Sequence, residues 1–379
     1  MSKVKLGDVA EEVKETYDGK GNPAIVGLEH LVPGDIRLKS WSTDTDNTFT
    51  KAFHKGQVLF GRRRAYLKKA AVAPVDGICS GDITVISAKQ DKILPELLPF
   101  VIQNDDFFDY AVGKSAGSLS PRVKWSHLKE YEFNLPGMDQ QRQLANLLWH
   151  FVDAKEAYED LIHQTDELVK SQFIEMFGTA KDNPKELPVM QIGQFAEVKG
   201  GKRLPKGEDY SSIKTEHPYV RVVDMINHSV NIPALVYLKP STFEKIARYT
   251  ISSKDVYISI AGTIGQIGTI PSSIEGANLT ENAAKIVLQR NSPVDRDYLM
   301  WYLSLPAGAE QIEAKTMNTT QPKLALCRIE EIEVLIPSLE EQRRFEALAE
   351  QSDKSKFELN EAIKDLDAMY KRIIKDNLG

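Results

Sequence analysis

From Leu144 onward, apolar side chains return at alternating steps of three and four: Leu144, Leu147, Phe151, Ala154, Tyr158, Leu161 and Leu168, with few breakers before Gly178. The same period returns near the end of the chain in Phe345, Leu348, Leu359, Ala362, Leu366, Met369 and Ile373. Each series is the stripe of one long helix, about 55–60 Å for nearly forty residues at 1.5 Å per residue. Thr165, Ser352 and Ser355 interrupt the stripes, so either helix alone is marginal and burial of one stripe against the other is expected. Elsewhere the period is short. Gly56–Phe60, Asp82–Ile86, Tyr219–Val223, Asp255–Ile260 and Lys285–Leu288 predict strands, and Leu94–Gln103 and Tyr298–Leu305 predict helices. The pattern divides the chain into a mostly β globular segment (1–138), a helix (139–178), a second globular segment (185–339) and a second helix (340–379).

The two halves repeat. Pro121–Arg122–Val123 and Leu135–Pro136–Gly137–Met138–Asp139–Gln140–Gln141–Arg142 return as Pro322–Lys323–Leu324 and Ile336–Pro337–Ser338–Leu339–Glu340–Glu341–Gln342–Arg343, each 201 residues later. The segment starts match more loosely, Leu6–Glu11 with Ile192–Glu197 at a separation of 186, and Lys55–Leu59 with Ser253–Tyr257 near 198. Insertions and deletions therefore fall inside the globular segments, while the helical part keeps strict register. The expected fold is α+β: two similar mixed α/β domains separated by two long helices, packed as an antiparallel coiled coil with pseudo-twofold symmetry. Two similar surfaces suit a two-part target. If that target is duplex DNA, readers on one face recur in steps of about 34–36 Å, a spacing that helices of this length can set.

Composition narrows the class. The net charge of −6 resides in the helices: residues 1–138 carry 19 basic and 18 acidic side chains and 179–339 carry 18 of each. The globular segments are neutral overall with clustered cations, and clusters set the local field that a phosphate backbone feels. Cys79 and Cys327 stand in no metal-ligand spacing, so no metal site is expected and a reducing compartment is implied. With no signal-peptide core and no membrane-length apolar run, a soluble cytoplasmic protein without membrane partners is expected.

In order and over its full length the chain resembles the DNA-specificity subunits of type I restriction–modification systems. The resemblance rests on the helix starts Pro136–Arg142 and Pro337–Arg343, the helix tail Gln172–Gly178, and the runs Gly61–Lys68, Val198–Gly201 and Gly262–Gly268. It implies two target-recognition domains (1–138 and 185–339), each followed by a spacer helix, reading a bipartite DNA sequence. It also implies assembly with two modification subunits that methylate adenine N6, and optionally with restriction subunits. S-adenosylmethionine, ATP and Mg would serve those partners; this chain itself would carry no cofactor and no catalytic residue. Because the two domains differ in sequence, the target is expected to be asymmetric.

Candidate contacts follow from residue chemistry, weighed beside that resemblance. Arg62, Arg63, Arg64 and Lys68, with Tyr66, form a basic cluster whose guanidiniums suit guanine edges or phosphate. Lys114, Ser115, Ser118, Ser120, Arg122 and Lys124 lie on a small polar loop; its counterpart holds Thr319, Thr320, Gln321 and Lys323. Lys199, Lys202 and Arg203 beside Gly200 and Gly201 make a third group, the glycines letting backbone amides approach phosphate. Thr263 and Gln266 join them from Gly262–Gly268. Each of these stands against the plainer reading of a solvated surface loop. Gln141, Arg142, Gln342 and Arg343 recur at the helix starts, either as local packing or as a docking surface for modification subunits. Gly113–Lys114–Ser115 is no nucleotide-binding loop, since Phe108 occupies the upstream glycine position. Asn22–Pro23 and Asn183–Pro184 lack the second proline and aromatic of an adenine methyltransferase, and Asp295 or Asp297 with Glu313 and Lys315 only faintly echoes a nuclease. The alternatives are a coiled-coil adaptor that binds proteins, or a stand-alone methyltransferase or nuclease.

Overall fold

A computed structural model describes residues 2–19, 21–43, 47–179, 182–317 and 322–379. The chain packs as two compact units, Met1–Leu161 with Glu358–Gly379, and Ile162–Phe357. Both borders cut a long helix, so each unit holds one globular segment and part of each helix. The helices run Met138–Phe177 and Leu339–Leu378, forty residues apiece. The second opens on a capping box: the Ser338 backbone and hydroxyl donate to Glu341, whose own N–H returns to the Ser338 hydroxyl. The first stops where Gly178 adopts φ 77° and its N–H reaches the Ile174 carbonyl. An added Cβ there would sit 2.5 Å from the Asp182 carbonyl, so glycine is required.

Both globular segments share the topology of their four-stranded sheet and terminal strand pair, and the residue separations in the sequence repeat carry through these. In the first unit a four-stranded antiparallel sheet has Ile83–Ala88 and Val58–Gly61 at its centre, flanked by Ala10–Val13 and Ala70–Val72. In the second, Ala283–Leu288 and Val256–Ser259 are central, flanked by Ala196–Gly200 and Ile267–Gly268. A terminal strand, Ser2–Lys5, pairs with Glu132–Leu135; its counterpart Val189–Gln191 pairs with Glu333–Leu335. The small second sheet differs between units. Both have a parallel pair, Ala24–Val26 with Gly77–Cys79 and Pro218–Val220 with Asn278–Leu279. The third strand, however, joins the later member in the first unit (Lys51–Phe53) and the earlier member in the second (Val236–Tyr237). The expected strand Tyr219–Val223 ends at Val220, because the Asp224 carboxylate caps the Arg221 N–H at 2.9 Å and winds Val222–Asp224 into a 3-10 turn.

The helices pack on each other within each unit. In the second, Asp166 faces Lys356 at 2.7 Å and Phe177 stacks edge-on to Phe345, so the numbers rise along one helix as they fall along the other. The pair is antiparallel. In the first unit Lys155 bonds both oxygens of Asp367 at 2.9 and 3.2 Å. The buried stripe is shifted from the expected one. Leu144, Ala145, Leu148 and Val152 are buried in the first unit's core and Val169, Phe173 and Phe177 in the second's, whereas Leu147, Leu161 and Leu168 are exposed. The helix ends are clamped against a globular segment as well as against each other, and that larger contact selects which face turns inward. Among the described residues no helix is long and apolar enough to cross a membrane.

Candidate nucleic-acid interface

In the first unit three loops converge at the end of the strand Val58–Gly61. The Arg62 N–H donates to the Asp82 carbonyl at 2.9 Å, and the Arg62 carbonyl accepts from Val123 at 3.0 Å. Arg64 donates from its backbone to Pro121 at 2.8 Å. Arg122 forms bridges with both Arg63 and Ala116, closing the loop 116–122 as a tight hairpin. Arg64 and Lys68 adopt left-handed backbone, φ 54° and 51°, bracketing the 3-10 turn Ala65–Leu67. Strain of this kind persists where surrounding bonds over-determine the chain, and here they do.

The side chains meet on one carboxylate. Arg122 donates Nε to Asp82 Oδ1 at 2.7 Å and Nη2 to Oδ2 at 3.2 Å. Arg63 reaches Asp82 Oδ2 at 3.5 Å and the Ser120 hydroxyl at 3.1 Å. The Arg122 hydrogen bond holds the Asp82 carboxyl below its usual range despite partial burial. Tyr66, Lys114, Ser118 and Lys124 are exposed around this core, with Lys114 Nζ 5.6 Å above the Tyr110 ring. Two candidates are engaged elsewhere: the Ser115 hydroxyl donates to the Ala111 carbonyl at 2.8 Å, and Lys68 pairs with Asp105 at 2.5 Å. Sequence reasoning missed Asp82, which it read as the start of a strand, and Leu119, 89% exposed at the hairpin tip. Nothing in the spacing marks Asp82 as the partner of a residue forty positions away.

The second unit rebuilds the same cage with other side chains. Ile260 donates to the Asn282 carbonyl at 2.7 Å and accepts from Leu324 at 3.0 Å, while Lys323 bridges Ala261 and Met317. Gly262, φ 75°, takes the place of Arg64. The Ser259 hydroxyl donates to the Thr263 carbonyl at 2.6 Å and accepts the Gln266 N–H at 2.8 Å, fixing that loop. Gln266 Oε1 is buried with no hydrogen bond among the described residues, and Thr263 and Lys323 are exposed. Arg203 donates to Glu281 at 2.5 Å, one residue from Asn282, and Lys202 lies 5.7 Å over Tyr249. Lys199 pairs with Glu197 on its own strand. Thr319, Thr320 and Gln321 lie outside the described residues.

Two expectations need correction. Gly201 does not keep its backbone open for a phosphate: an added Cβ would stand 2.1 Å from the Thr280 carbonyl and 2.4 Å from that of Leu279, so the glycine serves chain-to-chain packing. Gln141 and Gln342 are buried, 2% and 0% exposed, and are no docking surface. Gln342 Oε1 accepts the Asp295 N–H at 2.7 Å while Nε2 donates to the carbonyls of Pro293 and Pro337 at 2.8 and 2.9 Å. Gln141 does the same with Leu94, Lys92 and Pro136 at 3.0, 3.3 and 3.0 Å. Their amides tie each helix start to its globular segment. Arg142 and Arg343 remain exposed beside them.

Residues 184–366 match the family described as the type I restriction modification DNA specificity domain. The chain is 22% identical over 318 residues to the type I restriction enzyme MjaIX specificity subunit of Methanocaldococcus jannaschii, covering 79% of this chain and 71% of that protein. Its fold matches a chain solved in a study of complex assembly and conformational transition of the type I R-M system, with TM-score 0.61, 19% identity, and coverage of 99% and 97%. It also matches the S subunit of the type I restriction-modification system of M. genitalium, with TM-score 0.57, 15% identity, and coverage of 100% and 96%.

Proposed function

We propose that the chain is a specificity subunit of a type I restriction–modification system, a non-catalytic DNA-recognition component, and that it reads a bipartite, asymmetric duplex target. In this reading the first globular segment contacts one half-site and the second the other, and the chain positions adenine-N6 methyltransferase subunits over both. The observation that carries it is the duplicated loop cage: Arg122 and Lys323 stand at equivalent places in two cages whose remaining side chains differ. Shared backbone with unlike side chains is what two half-sites of different sequence require. Candidate contacts are Arg62, Arg63, Arg64, Tyr66, Lys114, Ser118, Ser120, Arg122 and Lys124 in the first unit. In the second they are Lys202, Arg203, Thr263, Gln266, Lys323 and the loop containing Thr319, Thr320 and Gln321. Arg142 and Arg343 are the exposed helix-start residues offered to modification subunits; S-adenosylmethionine would be bound by those subunits.

Exchanging residues 1–138 for the first segment of another family member tests the reading. With modification subunits present, sequencing of methylated adenines should show one half-site changed and the other kept. A change in both halves would refute the modular reading. DNA binding with a shallow salt dependence, well short of the ~0.9 per phosphate expected for duplex contacts, would instead favour a protein-binding adaptor.

A further inference from the structure

Resting on that DNA-reading proposal, we infer that Arg122, oriented by Asp82, reads a guanine in the half-site recognised by the first unit. The guanidinium is gripped from the side: Nε and Nη2 both donate to the Asp82 carboxylate, at 2.7 and 3.2 Å. A guanidinium has five N–H donors, so this grip leaves the outer edge, the Nη1–H and second Nη2–H pair, pointing away from the carboxylate. That edge is the one that matches guanine O6 and N7. Among the described residues Nη1 of Arg122 has no partner, and the side chain is 46% exposed. Its backbone is held by two-way hydrogen bonds with Ala116 at 2.9 and 3.0 Å, so the edge is presented from a fixed base rather than a loose loop.

Charge decides between base and phosphate. An arginine already paired to a carboxylate offers little net charge to a phosphate, and the Asp82 oxygens repel one. The hydrogen-bonding edge survives the pairing, and a base edge is neutral. Asp82 is therefore a positioning residue: it fixes the direction of the donors and lowers non-specific attraction to the backbone. Arg63 shares the carboxylate more weakly, at 3.5 Å, and is further tied to Ser120. The second unit has Asn282 and Lys323 at the equivalent positions, so this device belongs to one half-site.

The test uses the full chain with its modification subunits and duplexes carrying the methylation-mapped target. Each guanine of the first half-site, on either strand, is replaced in turn by 7-deazaguanine, which lacks the N7 acceptor. One replacement should weaken wild-type binding by roughly tenfold or more, the scale of a lost charged hydrogen bond. Arg122→Lys, which keeps the charge without the planar fork, should be clearly less sensitive to that replacement than the wild type. Asp82→Asn should relax base preference at that position while binding to non-target DNA is unchanged or stronger. Thermal melting of each variant at the wild-type temperature confirms that the loops still fold. Wild-type indifference to every 7-deazaguanine overturns the inference and indicates a phosphate contact only, and equal sensitivity in Arg122→Lys overturns it by showing that another group reads N7. If the wild type fails to prefer its target at all, the DNA-reading proposal itself fails.

Discussion

Replacing Gln342 by alanine discriminates between structural and interfacial roles for the repeated glutamine. The side chain satisfies three backbone groups, the Asp295 N–H and the Pro293 and Pro337 carbonyls, and is itself 0% exposed. Truncation leaves all three in a buried pocket. Each stranded group costs ~1–3 kcal/mol, and water admitted to the vacated space moves each toward the low end, so about 3 kcal/mol in total is expected. For a unit of this size that is a fall of roughly 6–12 °C in melting temperature. Chemical denaturation measures the loss, and hydrogen exchange locates it: the Asp295 amide, which begins the helix Arg296–Ser304, should lose protection first. Gln141→Ala should behave alike but more mildly, because one of its bonds is 3.3 Å long. A Gln342→Ala protein that melts within about 0.5 kcal/mol of wild type yet no longer binds modification subunits would sink the argument; surface substitutions give changes of that small size.

Glu346 gives a pH prediction. Burial, reinforced by Asp295 and Asp297, raises its carboxyl to about 7 from an ordinary value of 4.5, against the opposing hydrogen bond from the Tyr298 N–H. A raised acid stabilises the fold while protonated, so its contribution is complete below pH ~4.5 and is lost as pH climbs through about 7. Glu346→Gln should accordingly raise the melting temperature at pH 8 more than at pH 5, and a lower melting temperature at pH 8 would contradict the assignment. Gly201→Ala drives a Cβ to 2.1 Å from a backbone oxygen and should cost at least the ~1–3 kcal/mol of core overpacking, whereas Gly200→Ala, 3.6 Å from the nearest atom, should melt like wild type.

The helix starts and the duplication of the two globular segments were legible because they depend on period and on repeated residues, whereas the order of strands in each sheet was not. The separation of 186 at the first strands and 198 at the strands Val58–Gly61 and Val256–Ser259 reappears as paired elements. The helical stripe was misread by one position because a long helix buried on two sides carries two overlapping apolar faces, and Leu144 belongs to both series. The cage was half legible. Its basic residues announce themselves, but the carboxylate that gathers them comes from a different turn, and only the fold brings residues 62, 82 and 122 together. The roles of Gln141 and Gln342 were open on sequence alone, since a repeated polar residue at a helix start fits packing and docking equally well until its burial is known.

The direction in which the two helices pair was also written in the repeat, in a form that needs the fold to be read. Lys155 and Asp166 on the first helix recur, 201 residues on, as Lys356 and Asp367 on the second. In parallel register, lysine would face lysine and aspartate would face aspartate. Run antiparallel, each lysine meets the other helix's aspartate, as Lys155–Asp367 does in the first unit and Lys356–Asp166 in the second. Such partly exposed pairs contribute little stability, of order 0–1 kcal/mol each, so they are poor glue. Their effect is a difference: two attractions in one arrangement against two like-charge contacts in the other, on helices whose interrupted stripes leave the choice underdetermined. A duplicated sequence that must pair with itself head to tail needs such asymmetric charges on every copy, because duplication supplies both copies with the same pattern.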